Sequence, residues 1–194
     1  MKFLRNSLRI MFALVGLTKA FIVHGGVDKT LVSWVLLEDE SVQGGSILTL
    51  QNGFEFDGIV FGELMEGKWM AGSDNWKRSE KNQGKYPVKD SGAGSLLQMA
   101  IVYQKDLISI FRDGNPYASF PAGNIDLLSK ENNFAVFGKR HMGGGGGISG
   151  MIEDARIYDR ALTAKEIKDL IPNQTSKIKP YAWWSFEDDA SEQT

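Results

Sequence analysis

Three carboxylates on one alternating stretch, Glu55, Asp57 and Glu63 in "EFDGIVFGE", are the first residues whose type and spacing could do chemistry. Paired carboxyls cut glycosidic bonds when they stand about 5–10 Å apart, one as acid and the other as nucleophile or base. At about 3.3 Å per residue, an extended chain separates Asp57 from Glu63 by roughly 20 Å. Ile59 and Val60 stand where a third carboxylate would be needed, so this stretch reads as a strand face and no catalytic residue is assigned. A second constellation, "GSDNWKRS", carries Asp74, Asn75, Trp76 and Arg78. An indole that reaches solvent can stack on a sugar ring, with acid, amide and guanidinium groups meeting its hydroxyls. "GKRHMGGGGG" supplies Arg140 and His141 as further candidates from another loop. These six residues form the candidate ligand-binding set.

Other motifs carry less. "GGGISG" (145–150) has the spacing of a phosphate-binding glycine loop, but a strand pattern follows it and no helix N-terminus is available. His24 and His141 are the only histidines, and neither has a metal-ligand partner at helical or hairpin spacing. Asp57, Asp74, Asn75 and Asp154 could ligate calcium, yet no stretch has the dense Asp/Asn pattern of a dedicated loop. Calcium therefore stays open as a cofactor, and no metal-site residue is assigned.

The elements that must position these groups are mostly strands. "TLVSWVLL", "SILTLQ", "FEFDGIVF", "GKWMAGS", "SLLQMAIVYQ", "DLISIF", "PYASF", "NFAVFGKR" and "GISGMIEDARIYDR" are short apolar or alternating runs. Trp34 and Trp69 sit inside such runs and read as core. Asp113-Gly114 between two runs signals a tight hairpin. In the last run, Met151, Glu153, Ala155 and Ile157 are expected to share the face opposite Ile152, Asp154, Arg156 and Tyr158. Thr163 and Glu166 have capping-box spacing, which predicts one helix over Thr163–Leu170. The expected fold is all-β: a two-sheet antiparallel sandwich with one short C-terminal helix covering an apolar edge. The stretch Asp74–Gly94 is long for a connection in such a fold, which favours a functional loop.

Composition agrees and sets limits. The chain has 194 residues, 22 glycines against five prolines, no cysteine and a formal charge of −2. That charge and the absence of a basic stripe argue against a nucleic-acid partner, and no apolar run is long enough for a membrane span. Disulfides and thiolate metal sites are excluded. The N-terminus has Lys2, Arg5 and Arg9, then an apolar run Ile10–Leu17, then Thr18 and Ala20. This is the layout of a secretory signal over residues 1–20, with "SLRIMFALV" as a first strand the alternative.

The closing segment, "GGISGMIEDARIYDRALTAKEIKDL", resembles the last strand and helix of laminin-G-like, concanavalin A-like jelly-roll domains. "LLQMAIVYQKDLISIFRDGNPYASF" is similar to the central hairpin of that family, and "KTLVSWVLLEDESVQGGSILTLQ" to its early strands. The likeness spans about residues 29–171. Two departures are Glu153-Asp154, where the family more often has Asp then Glu, and Gln98, where Trp-x-His is frequent. "FDGIVFGELMEGKWMAGSDNWKRS" resembles such domains attached to secreted bacterial glycoside hydrolases. The Asn-Asp-Pro-Asn motif of fructan-cleaving enzymes is missing.

The resemblance implies a jelly-roll domain over residues 21–172. Residues 173–194 are expected to be a linker and the start of a second, truncated module, because "AWWSFE" resembles the opening strand of these domains. The implied function is a non-catalytic module of a secreted or cell-surface protein that binds carbohydrate or an adjacent domain. The alternative is a fragment of a glycoside hydrolase whose catalytic module lies beyond Thr194.

Overall fold

The computed structural model describes residues 8–10, 27–87 and 94–186. Its strands are β1 (Leu8–Ile10), β2 (Lys29–Asp39), β3 (Gly45–Asn52), β4 (Glu55–Phe61), β5 (Trp69–Ser73), β6 (Leu97–Gln104), β7 (Leu107–Arg112), β8 (Asn115–Pro121), β9 (Phe134–Val136), β10 (Ser149–Tyr158) and β11 (Ala182–Trp184). They form two antiparallel sheets. The larger runs β1-β10-β2-β6-β7-β8, with β11 also on β10, and the smaller runs β5-β4-β3-β9. This is the expected all-β sandwich of jelly-roll type.

Alternation explains the core. Leu31 and Val35 of β2 and Met99, Ile101 and Tyr103 of β6 point inward from the large sheet. They meet Leu50, Ile59, Phe61 and Trp69 from the small one. The β7–β8 turn is built on Asp113 and Gly114, both at positive φ (51° and 70°), the backbone that a two-residue hairpin of this twist requires. Gly45 has a steric reason as well. A Cβ on Gly45 would lie 2.1 Å from the Gly147 carbonyl carbon, so two backbones pass where no side chain fits.

Two expectations need correction. In β10 the register against β2 shifts between Ile152 and Asp154. This bulge inserts a residue, so Ile152 joins Ala155 and Ile157 in the inter-sheet core instead of opposing them. The helix α1 (Ala164–Lys168) carries the predicted capping box, with Glu166 N–H donating to the Thr163 hydroxyl and Thr163 N–H to the Glu166 carboxylate. It covers a sheet face rather than an edge. Ile167 and Leu170 pack on Val32, Trp34, Ala100 and Val102, which point outward from the large sheet. Gln98, noted as a departure from the family pattern, donates from Nε2 to the Ile167 carbonyl at 2.9 Å and ties the helix end to β6.

The C-terminal tail contributes a further strand. Ala182–Trp184 pairs with Ile157–Ala155 of β10. Trp184 and Phe186 set their rings edge-on against Phe137, at 5.3 and 5.2 Å. Residues 182–186 therefore add to this sandwich, because their apolar side chains find partners on the open β10 edge and on Phe137. Leu8–Ile10 pairs with the same edge at Ile152–Gly150, and the cleavage positions at Thr18 and Ala20 lie outside the described residues.

The inter-sheet core contains charge. Lys29 (β2) and Asp57 (β4) both point inward, 1% and 0% exposed, with Nζ 2.9 Å from Oδ2. Lys29 also donates to Asn124 Oδ1 (2.7 Å) and the Ile125 carbonyl (2.8 Å), and lies 4.5 Å from the Tyr103 ring centre. The other Asp57 oxygen accepts from Arg78 Nε at 2.8 Å. Burial pulls the Lys29 ammonium below its ordinary pKa, against the attraction of Asp57.

Asp57→Asn should leave Lys29 and Arg78 short of a buried counter-charge, a loss of about 3–5 kcal/mol in urea unfolding. Thr163→Ala should cost about 1 kcal/mol by the loss of the cap. The Thr163 amide and hydroxyl hold the Glu166 carboxyl below its ordinary pKa. The folded state therefore releases that proton more readily than the unfolded chain. The cap's contribution is full above the ordinary glutamate range and falls away as pH drops through the depressed value. Melting curves of wild type and Glu166→Gln should accordingly converge on acidification.

Candidate functional site

The chain leaves β5 into a tight turn at Asp74–Trp76. Asn75 and Trp76 both have positive φ, 49° and 54°. A tryptophan in left-handed backbone is an outlier, and it persists only where its surroundings over-determine it. Here the surroundings are Arg78. Its backbone N–H donates to the Ser73 hydroxyl (2.9 Å), its Nε to Asp57, and one terminal nitrogen to Asp74 Oδ1 (2.6 Å) and the Phe56 carbonyl (2.9 Å). Asp74 Oδ2 is paired with Lys77 at 2.9 Å. Burial alone would raise the Asp74 pKa, and the bonds from Lys77 and Arg78 outweigh it and hold the carboxyl below its usual range. Burial also works against the Arg78 charge, and Asp57 and Asp74 more than offset that, so its pKa lies above the ordinary value.

The four candidates of this loop thus divide in two. Arg78, 5% exposed, and Asp74 are buried and spend their polar groups inside the protein. They anchor the loop rather than face solvent. Trp76 keeps 39% of its surface exposed, and Asn75 and Lys77 beside it are exposed as well.

The structure brings the other loop to the same place. Arg140 lies with its guanidinium carbon 6.0 Å from the Trp76 ring centre and is ion-paired to Glu63. Burial lowers its pKa, and its Nε is a shielded donor with no hydrogen-bond acceptor, as Glu63 Oε2 is a shielded acceptor with no donor. His141 stacks on Phe56 at 4.9 Å and 27°. The loop itself is pinned to the outer face of the small sheet. Thr49 Oγ1 donates to the Arg140 carbonyl (2.8 Å), and Met142 N–H donates to Gln51 Oε1 (2.8 Å). Sequence reasoning missed Phe56, Glu63 and Gln51 in this role, because their partners are 77 to 91 residues away and leave no local signal.

Each of the three carboxylates weighed for acid–base work meets a cation of the chain itself. Glu55 is paired with Lys130, Asp57 with Lys29 and Arg78, and Glu63 with Arg140. Among the described residues no group of three or more His, Asp or Glu side chains is placed to hold a metal ion. Asp154, a conceivable calcium ligand by sequence, is bidentate to Arg156 at 2.9 and 2.7 Å. No helix of the described chain is long and apolar enough to cross a membrane.

A sandwich of this topology with a β10–α1 closing unit defines a class of jelly-roll domains. Residues 18–168 match the family described as the concanavalin A-like lectin/glucanases superfamily, in its laminin-G-like form, and the chain belongs to that family. Comparison with curated protein sequences gives no match. Among solved structures, the chain is similar to domain 4 of AbnA, a GH43 extracellular arabinanase from Geobacillus stearothermophilus, in complex with arabinotriose. The TM-score is 0.56 at 18% identity, over 73% of this chain and 65% of that one. A candidate carbohydrate binding protein from Bacteroides ovatus gives 0.63 at 12% identity, over 90% of this chain and 48% of the other. The CBM40 of Ruminococcus gnavus IT-sialidase, bound to α2,6 sialyllactose, gives 0.54 at 16%, over 73% and 81%. These likenesses establish the fold. The chain spans less than two thirds of the first two.

Arg78→Met should destabilise the domain by about 3–5 kcal/mol, since Asp57 then keeps only Lys29 and Asp74 only the exposed Lys77. Trp76→Ala, which relieves a left-handed bulky residue and removes an exposed ring, should move the melting temperature by no more than about 2 °C. Differential scanning calorimetry of the two variants distinguishes an anchor from a contact residue.

Proposed function

We propose that this chain is a non-catalytic carbohydrate-binding jelly-roll module, with its ligand surface at Trp76, Asn75, Arg140 and His141. The observation that carries the reading is the Trp76 turn: an exposed indole held in costly backbone geometry by a buried Asp57–Arg78–Asp74 chain. Strain of that kind is maintained at functional positions. An indole fixed in this way loses little entropy on stacking against the apolar face of a sugar, and the neighbouring amide and guanidinium supply hydrogen bonds of differing geometry. The solved relatives that carry arabinotriose or sialyllactose have the same fold, which supports the class of ligand without naming the sugar.

The finer reading is an accessory module of a secreted, multi-module carbohydrate-active protein. It rests on the resemblance of residues 56–79 to domains attached to secreted bacterial glycoside hydrolases. In this reading the carboxylates serve architecture, since each is neutralised by a cation of the chain itself.

One stacked ring with two or three solvent-exposed hydrogen bonds gives a dissociation constant on the order of 0.1–1 mM. Isothermal titration with arabino-, xylo- and sialyl-oligosaccharides should find at least one ligand in that range. Trp76→Ala should weaken it by tenfold or more while the protein stays folded. Unchanged affinity in that variant would remove Trp76 from the site. The chain should release no reducing sugar from any of these substrates, and turnover abolished by Glu55→Gln would overturn the non-catalytic reading.

A further inference from the structure

We propose a second oligosaccharide-binding site, at the edge of the small sheet opposite Trp76, in the cleft between β9, β10 and the C-terminal strand. The inference rests on the carbohydrate-binding reading above and adds a separate site to it. The cleft has a volume of about 830 Å³, within the range of small-molecule sites. Phe134, Tyr181, Trp183 and Trp184 line it, and Trp183 is the most exposed of the four at 38%. Its polar rim is Gln174, Thr175 and Lys179, all exposed.

Trp183 is set more firmly than its exposure suggests. Its indole N–H donates to Asp154 Oδ2 at 3.0 Å. Its ring lies 4.9 Å from the Arg156 guanidinium carbon, which is itself 5.2 Å from the Trp34 ring centre. Arg156 is bidentate to Asp154 and donates to the carbonyls of Ile171 (2.8 Å) and Gln174 (2.9 Å). Asp154 also accepts from the Asn173 backbone at 2.7 Å. One buried ion pair therefore fixes the exposed indole and the loop that bears Gln174 and Thr175. Surface packing alone does not need so many bonds to hold one half-exposed ring.

The lining chemistry selects the ligand. Aromatic rings beside amide, hydroxyl and ammonium groups match a sugar, whose C–H face stacks while its hydroxyls take the rim. The Tyr181 hydroxyl is buried beside Asn133 without closing a hydrogen bond of good geometry. Among the described residues none that lines the cleft is acidic, so none of them repels a carboxylated sugar. Lys179 gives such a sugar a cation.

The test follows the tryptophan indole N–H signals by two-dimensional NMR of the 15N-labelled chain, titrated with arabinotriose, xylotriose and sialyllactose. Assignment uses Trp76→Phe and Trp183→Phe. The proposal expects the Trp183 signal to move with at least one sugar, also in the Trp76→Ala variant. Gln174→Ala/Thr175→Ala, which touches only exposed side chains, should raise the dissociation constant for that shift about tenfold with an unchanged melting temperature, the loss of two hydrogen bonds. A Trp183 signal that stays still at millimolar sugar while Trp76 responds would overturn the second site and leave the proposed function standing. Stillness of both signals would overturn both. Movement of Trp183 alone would support the cleft and remove the Trp76 surface.

Discussion

The buried Asp57 carboxylate is the constraint on which the rest depends. It stands between the sheets, 0% exposed, with Lys29 of the large sheet on one oxygen and Arg78 of the Trp76 loop on the other. Each of these charges would be costly alone, and together they are paired and hydrogen-bonded. The arrangement fixes the relation of two sheets at one end of the sandwich. It also fixes the loop that leaves β5, since Arg78 reaches Asp74, Phe56 and Ser73 as well. The backbone of Asn75 and Trp76 then has little choice. A residue deep in the core thus sets the angle at which an exposed ring is shown to solvent.

A second buried pair does similar work on the outer face of the closing strand. Asp154 and Arg156 lie on the outer face of β10 because the bulge after Ile152 turns them there. They gather the chain after α1 by its backbone groups and by the Trp183 indole. The Glu-Asp-Ala-Arg-Ile-Tyr segment therefore has a physical reason for its acid and its arginine: they close the domain around its own C-terminal segment. Both pairs use a planar guanidinium with several donors, which a lysine could not replace bond for bond.

Much of this architecture is legible in the sequence. The strands follow alternation, Asp113-Gly114 gives its hairpin, and Thr163 with Glu166 gives the capped helix. Trp34 and Trp69 are in the core as their apolar neighbours indicate. The Trp76 and Arg140–His141 loops do converge, 6.0 Å apart at Arg140. What alternation misses is the bulge in β10, because one inserted residue reverses a whole face and has no residue-type signature there. Side-chain direction in loops is equally hidden. Asp74, Asn75, Trp76 and Arg78 read as one solvent-facing group, yet Arg78 turns inward because Asp57 is 21 residues earlier and beneath it. The tail read as the start of another module because its residues resemble an opening strand. Its place on β10 follows from an open sheet edge, which only the assembled fold reveals.

The central claim is that a buried charge chain presents Trp76 to a sugar. A crystal structure of the domain grown with the tightest-binding oligosaccharide tests it most directly. The account predicts a sugar ring parallel to the Trp76 indole, within van der Waals contact, with Asn75 or Arg140 hydrogen-bonded to its hydroxyls. Arg78 should remain on Asp57 and Asp74, and Asn75 and Trp76 should keep positive φ. A sugar bound elsewhere with the Trp76 ring bare, or a Trp76 turn relaxed to ordinary backbone, would contradict it.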